Sequence, residues 1–177
     1  MSRISGILLG AALLSTAIGC TKKDTDDKTD SSAASAAASA APVFDKGVSI
    51  AAIHASNDLW LRSVTSRNLD SLMSIYTSDA VSMSEGAPAA KGADAVRTAY
   101  AAFFKANPRD PKLDQHDAVF SDDGTMGWDE GTFTGTVDGP GGKPMKISSD
   151  YLSVWKRDGG AWKIVREITN SNTTPTK

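Results

Sequence analysis

The sequence predicts an α+β domain, with helices on one face of a curved, mostly antiparallel sheet. Three observations carry this. Apolar residues recur at spacings of three, four and seven in the first half of the chain, the period falls to two after Lys112, and glycine-rich hairpin signals separate the later segments. In order, Val48, Ala52, Ala55 and Leu59, with Ile53, Trp60 and Val64 beside them, predict a long amphipathic helix ending near Arg67-Asn68. A second, short helix over Leu69 to Tyr76 starts with Asp70 in its first turn, where a carboxylate meets the positive helix end. Asp79 to Ser84 alternates as a strand, and Gly86-Ala87-Pro88 turns the chain. A third helix, Ala93 to Phe104, sets Val96, Tyr100 and Phe103 on one face and is closed by Asn107-Pro108 and Pro111. Four strands follow: Leu113 to Phe120, Thr125 to Val137, Lys146 to Arg157 and Ala161 to Asn170. Their connections, Asp122-Asp123-Gly124, Asp138 to Gly142 and Asp158-Gly159-Gly160, are hairpin turns, so these strands are expected to run antiparallel.

Ahead of this domain lies a different kind of sequence. Arg3, the apolar stretch Ile7 to Leu14, Gly19 and then Cys20 resemble a bacterial lipoprotein signal peptide. The apolar stretch is too short to span a bilayer. The resemblance implies cleavage after residue 19, acylation of Cys20 and a place in the bacterial cell envelope, with Thr21 pointing to the outer membrane, facing the periplasm. A multiply acylated cysteine holds a protein on a membrane because each buried methylene contributes about 0.8 kcal/mol. Residues 21–42 carry charged residues, then Ser and Ala, with no large apolar side chain, and with Cys20 they form a disordered tether through residue 44. Its reach is about 25 Å for about 22 residues. Residues 45–172 are the folded domain and 173–177 a disordered tail.

Composition excludes several function classes. Without residues 1–19 the chain carries 18 basic and 21 acidic side chains, a net of −3, and the basic residues are scattered among acids, so no nucleic-acid partner is expected. Cys20 is the sole cysteine, so once it is lipidated no thiol remains for a disulfide, a metal or nucleophilic catalysis. Two histidines, His54 and His116, without further ligands at suitable spacing make no zinc motif. No Gly-x-Ser-x-Gly elbow is present, and Gly139-Pro140-Gly141-Gly142 leads into no helix, so it is a turn rather than a phosphate cradle. No cofactor follows from these residues.

Several segments line up with one family. Arg67 to Leu72 before Tyr76 to Val81, Gly92 opening a helix, Tyr151 to Arg157, Trp162 to Val165 and Asn170-Ser171 resemble the SnoaL-like branch of the nuclear transport factor 2-like superfamily. The resemblance covers nearly all of residues 45 to 172. It implies a cone-shaped fold in which three N-terminal helices and the curved sheet enclose an apolar pocket, commonly in a homodimer through the outer sheet face. It does not imply one activity, since the superfamily holds isomerases, cyclases, dehydratases and members without known chemistry. The ketosteroid-isomerase-like set is not preserved. Its helix-one tyrosine falls on Trp60, its strand base on Ser84 with Glu85 on the opposite face, and its second donor near Tyr151.

The candidate ligand-binding residues are therefore Trp60, Ser84, His116, Trp128, Tyr151, Trp155, Glu167 and Thr169. By alternation Val165, Glu167 and Thr169 share one face of the last strand, and the resemblance points Glu167 into the cone. Tyr151, Ser153 and Trp155 share a face of the preceding strand, Trp128 and Glu130 one on the strand before, and His116 alternates with Asp114 and Ala118. Rings with a few polar contacts are the usual anatomy of a small-molecule site. The expectation is a membrane-tethered, dimeric binding domain for a small apolar or amphipathic ligand. The rivals are a cofactor-independent acid–base enzyme using Glu167, Tyr151 and His116, and a protein-interaction domain with a vestigial pocket.

Overall fold

A computed structural model describes residues 44–172. The signal peptide, Cys20, the tether before residue 44 and the tail expected over 173–177 lie outside the described residues. Three helices, α1 (Lys46–Ser66), α2 (Leu69–Met73) and α3 (Ala93–Lys105), pack on one sheet built from β1 (Tyr76–Ser84), β2 (Ala90–Lys91), β3 (Arg109–Gln115), β4 (Val119–Phe120), β5 (Met126–Asp138), β6 (Pro144–Asp158) and β7 (Ala161–Ser171). The sheet order is β2-β1-β7-β6-β5-β3, with β4 also paired to β5. All pairings are antiparallel except β1 with β7. The α+β, cone-like expectation holds.

Local chemistry sets most boundaries. The Asp45 side chain accepts the Val48 amide at 3.0 Å and starts α1. Arg67 ends it in the left-handed region (φ 53°), and the Asn68 side chain at once accepts from the Ser71 amide to cap α2. Gly92, at φ 86°, starts α3 while its amide donates to the Ala80 carbonyl of β1 at 2.8 Å.

Four expectations need correction. α2 stops at Met73, and β1 begins at Tyr76, because the Ile164 amide donates to the Ile75 carbonyl at 2.8 Å and draws this segment into the sheet. The strand expected over Leu113 to Phe120 is two pieces, β3 from Arg109 and β4, broken at His116-Asp117-Ala118. Pro111 lies within β3, an edge strand that tolerates a residue without an amide hydrogen. The buried stripe of α1 is not centred on Val48 and Ala55, which are exposed, but on Ser49, Ile53, Asn57 and Val64. Apolar periodicity misplaces it because two polar side chains occupy buried positions with partners: the Ser49 hydroxyl donates to the Asp45 carbonyl, and Asn57 donates into the sheet. Finally, β7 carries an extra residue opposite β6, between the pairs Val154–Arg166 and Trp155–Ile164. That bulge at Val165 changes the phase of the strand, so Ile164 joins Glu167 and Thr169 on the inner face.

The core lies between the helices and the inner sheet face. Ile53, Val64, Leu72, Ala80, Val96 and Trp155 are fully buried there. Toward the β3 side the packing opens, and this opening is the candidate site.

Candidate functional site

A half-open cavity of about 250 Å³ lies between α1, α3 and the inner face of the sheet. Its apolar wall includes Trp60, Phe103, Leu113, Phe133, Ile147 and Ile164. The rings interlock: Trp60 meets Phe133 edge-on at 5.2 Å and Tyr100 at 6.3 Å, and Phe103 meets Phe133 at 6.2 Å. Polar groups converge from the sheet. Among the described residues Glu167 is the one carboxylic acid in the wall, and it is only 7% exposed.

Glu167 is held by three hydroxyls. Tyr76 donates to Oε2 at 2.6 Å, Ser82 to Oε1 at 2.9 Å, and Tyr100 lies 3.1 and 3.2 Å from the two oxygens. The Tyr76 and Tyr100 oxygens are 2.7 Å apart, and the Trp60 indole N–H donates to Tyr100 at 3.0 Å. The parallel pairing of β1 with β7 creates this cluster, because it sets Ser82 directly beside Glu167 and Ser84 beside Thr169. Burial raises the Glu167 carboxyl above its ordinary value, the three hydroxyls oppose that rise, and the charge of Asp129 adds to it. Tyr76 and Tyr100 are driven far above the ordinary tyrosine value, first by burial and then by the neighbouring Glu167 charge, so both remain protonated donors.

A second acid, Asp129, lies beneath the cavity floor at 1% exposure. Its Oδ1 accepts from the Trp155 indole N–H at 2.6 Å, and its Oδ2 from Asn57 Nδ2 at 2.7 Å and the Tyr151 hydroxyl at 3.1 Å. Asn57 and Tyr151 also line the cavity, so Asp129 fixes two wall residues that touch whatever enters. Its carboxyl is raised by burial against the pull of these three donors. Among the described residues no group of three or more His, Cys, Asp or Glu side chains is arranged to hold a metal ion.

The structure brings Trp60, Ser84, Tyr151, Glu167 and Thr169 together around the cavity. It does not bring His116, Trp128 or Trp155 there. His116 follows the end of β3 with its side chain 67% exposed and lies 3.8 Å from Glu130 at the surface, because the strand expected to carry it inward breaks there. Trp128 is 42% exposed on the outer face. On β5 the inward set is Gly127, Asp129, Gly131 and Phe133; glycines are required where a Cβ on Gly131 would sit 2.1 Å from the Asp114 carbonyl oxygen and 2.9 Å from the Tyr151 ring. Trp155 points inward as expected but is wholly buried in the core, bonded to Asp129 rather than facing the cavity.

Tyr76, Ser82, Tyr100, Asn57 and Asp129 are cavity or cavity-supporting residues that the sequence reading did not select. For Tyr100 a signal existed, since it shares a helical face with Val96 and Phe103. Asp129 gave none, because an acid flanked by Gly127 and Gly131 reads as the solvent side of a strand.

The model of the family described as SnoaL-like domain matches residues 58–167. Among curated proteins none matches the chain. Similar solved structures include a ketosteroid isomerase-like protein from Erwinia carotovora atroseptica, at 20% identity over 71% of this chain and 97% of that one, with a TM-score of 0.64. The hexachlorocyclohexane dehydrochlorinase LinA-type3 from Novosphingobium barchaimii LL02 is 22% identical over 74% and 92%, with a TM-score of 0.62. A protein of the NTF2-like family from Streptomyces avermitilis is 15% identical over 72% and 99%, with a TM-score of 0.59. At these identities the likeness is one of fold.

Proposed function

Because the chain belongs to the SnoaL-like domain family, whose fold recurs with different chemistries, we propose from the cavity itself that this domain binds a small, largely apolar ligand bearing one polar group directed at Glu167. The observation that carries this is a buried carboxyl inside an aromatic-walled cavity of about 250 Å³, already positioned by Tyr76, Ser82 and Tyr100. A vestigial cavity has no use for a carboxyl kept from water at such cost. The test is native mass spectrometry of the full-length protein purified from its own host, beside Glu167→Gln and Tyr100→Phe. A retained small molecule that either substitution releases supports the reading; protein that is empty in every preparation overturns it.

A second reading is favoured by the same carboxyl. Burial raises the Glu167 carboxyl above its ordinary value and so makes it a stronger base, and Tyr100 beside it remains a donor, so the pair meets the first requirement of cofactor-independent acid–base catalysis. One neighbour carries the name of a dehydrochlorinase, and an elimination of that type needs such a base. This reading requires that a recovered molecule be turned over, and that Glu167→Gln stop turnover while leaving binding in place.

The expectations for location and assembly stand as proposals. The Cys20 motif supports a lipid anchor in the cell envelope, and among the described residues no helix is long and apolar enough to cross a membrane. Labelling with a palmitate analogue that is lost in Cys20→Ser tests it. The outer sheet face supports a homodimer, since cross-strand pairing sets Leu152, Ile168 and Met83 in one row beside Trp128, Val154 and Val81 in the next. Sedimentation of Ile168→Lys against the parent protein tests that.

A further inference from the structure

Two carboxylates lie inside the domain, and among the described residues neither is in an ion pair: Glu167 has no cation beside it, and Asp129 feels only the charge of His54. The ion pairs among the described residues engage Asp70, Asp79, Asp117, Glu130, Asp138 and Asp158, but not Asp129 or Glu167. Every hydrogen bond that these two acids accept comes from a neutral donor: tyrosine, serine, indole or amide. An ionised carboxylate held away from water without a counter-charge is unfavourable. A protein relieves it either by taking up a proton or by meeting a cation that arrives from outside.

The cavity suits the second course. Among the described residues no Lys, Arg or His lines it, so they offer no positive charge to an anionic ligand. Its rings are Trp60, Tyr100, Phe103, Phe133 and Tyr151, grouped around the one acidic wall residue. Aromatic rings carry a negative quadrupole at their faces and attract cations strongly when both are desolvated. A volume of about 250 Å³ is at the small end for ligand sites, so the guest is compact.

Resting on the cavity reading above, we propose that the ligand is a small organic ammonium ion. Its positive head lies against Glu167 between Trp60 and Tyr100, and its apolar remainder lies along Phe103, Leu113 and Phe133. Asp129, behind the floor, adds a second negative field without touching the ligand. The polar partners already on Glu167 do not conflict with this, because a quaternary ammonium attracts by charge and needs no hydrogen bond.

The groups facing Glu167 are Tyr76 and Ser82 from β1, Tyr100 from α3 and, through its charge, Asp129 from β5. The tyrosines stay protonated, and both acids are shifted upward by burial, with the charge of His54 opposing that rise at Asp129. A quaternary ammonium cannot change its own charge. Its affinity must therefore rise with pH while Glu167 ionises, by up to about tenfold per pH unit at the steepest, and level off once the carboxylate is formed.

The experiment is calorimetric titration of the full-length protein with benzyltrimethylammonium, its uncharged isostere neopentylbenzene and the anion phenylacetate, from acid to neutral pH. The cation is expected to bind about tenfold or more tightly than the isostere, to gain affinity with rising pH, and to lose most of that gain in Glu167→Gln. Phenylacetate is expected not to bind. Equal or tighter binding of the isostere, or a cation affinity that is flat in pH, overturns the ammonium assignment while leaving the cavity as an apolar binding site. Failure of all three probes overturns both. The isostere comparison and the pH profile are made on the parent protein, so they decide the matter even if Glu167→Gln does not fold.

Discussion

Asp129→Ala tests whether the buried acid beneath the cavity organises the domain. The substitution removes the acceptor of three donors at once: Trp155 Nε1, Asn57 Nδ2 and the Tyr151 hydroxyl. Their fates differ. Trp155 is fully buried and its indole N–H has no other partner, which costs about 2 kcal/mol. Asn57 keeps Gln115 Oε1 at 2.8 Å, so only one of its N–H groups is orphaned, at about 1 kcal/mol. Tyr151 borders the cavity and can turn its hydroxyl to water. Adding a small void and subtracting the relief of a buried charge leaves a loss of about 3 to 4 kcal/mol, or a fall in Tm of about 10 °C or more for a domain of this size. Asp129→Asn is expected to cost only about 1 kcal/mol, because Asn57 and Gln115 can flip their amides together and give the new amide a partner on each side. The assay is urea denaturation of the parent, Asp129→Ala, Trp155→Phe and the double variant. If the indole bond matters, the double variant is more stable than the sum of the singles by about 1 to 2 kcal/mol; additivity within about 0.5 kcal/mol would refute the argument.

Three other outcomes are expected. Burial sets the folded-state pKa of Glu167 and Asp129 above the ordinary values of 4.5 and 3.8, so the folded domain binds protons that the unfolded chain releases; their stabilisation is fully present below those ordinary values and is lost as pH rises through the folded ones. Asp79, Asp123 and Asp138 are shifted downward and act oppositely, losing their contribution only as pH falls below the ordinary 3.8. A scan of Tm is therefore expected to rise from neutral pH toward about pH 4.5 and then to fall, with a shallower rise in Glu167→Gln; a steady decline from neutrality would contradict the raised acids. Gly131→Ala puts a methyl 2.1 Å from the Asp114 carbonyl oxygen, which only separation of β3 from β5 relieves, and is expected to cost about 3 kcal/mol by denaturation and to displace Tyr151. Asp45→Ala removes the acceptor for the Val48 amide and is expected to cost about 1 kcal/mol without effect on the cavity, as circular dichroism melts combined with ligand titration would show.

By itself the sequence determined what nearest neighbours along the chain decide. Asp45, Asn68 and Gly92 start helices because a side-chain acceptor or a positive φ acts within one turn, and the three glycine-containing connections fold the strands back because a turn involves only its own few residues. Those signals, with the change of period after Lys112, sufficed for an α+β domain with its helices first; alternation put Glu167 and Thr169 on one face of the last strand, and it was the family resemblance that pointed Glu167 into the cone, where the cavity lies. Tertiary structure decided the rest. Pattern reading assumes that buried means apolar, and the assumption fails where a polar group has a distant partner: Asn57 meets Asp129 across 72 residues, which turns α1, and the inward face of β5 holds an acid and glycines while Trp128 faces out. Nor could local reading foresee that β1 runs parallel to β7. That pairing brings Tyr76 and Ser82 to Glu167 from 91 and 85 residues away, and only there does this buried carboxyl become the centre of the candidate site.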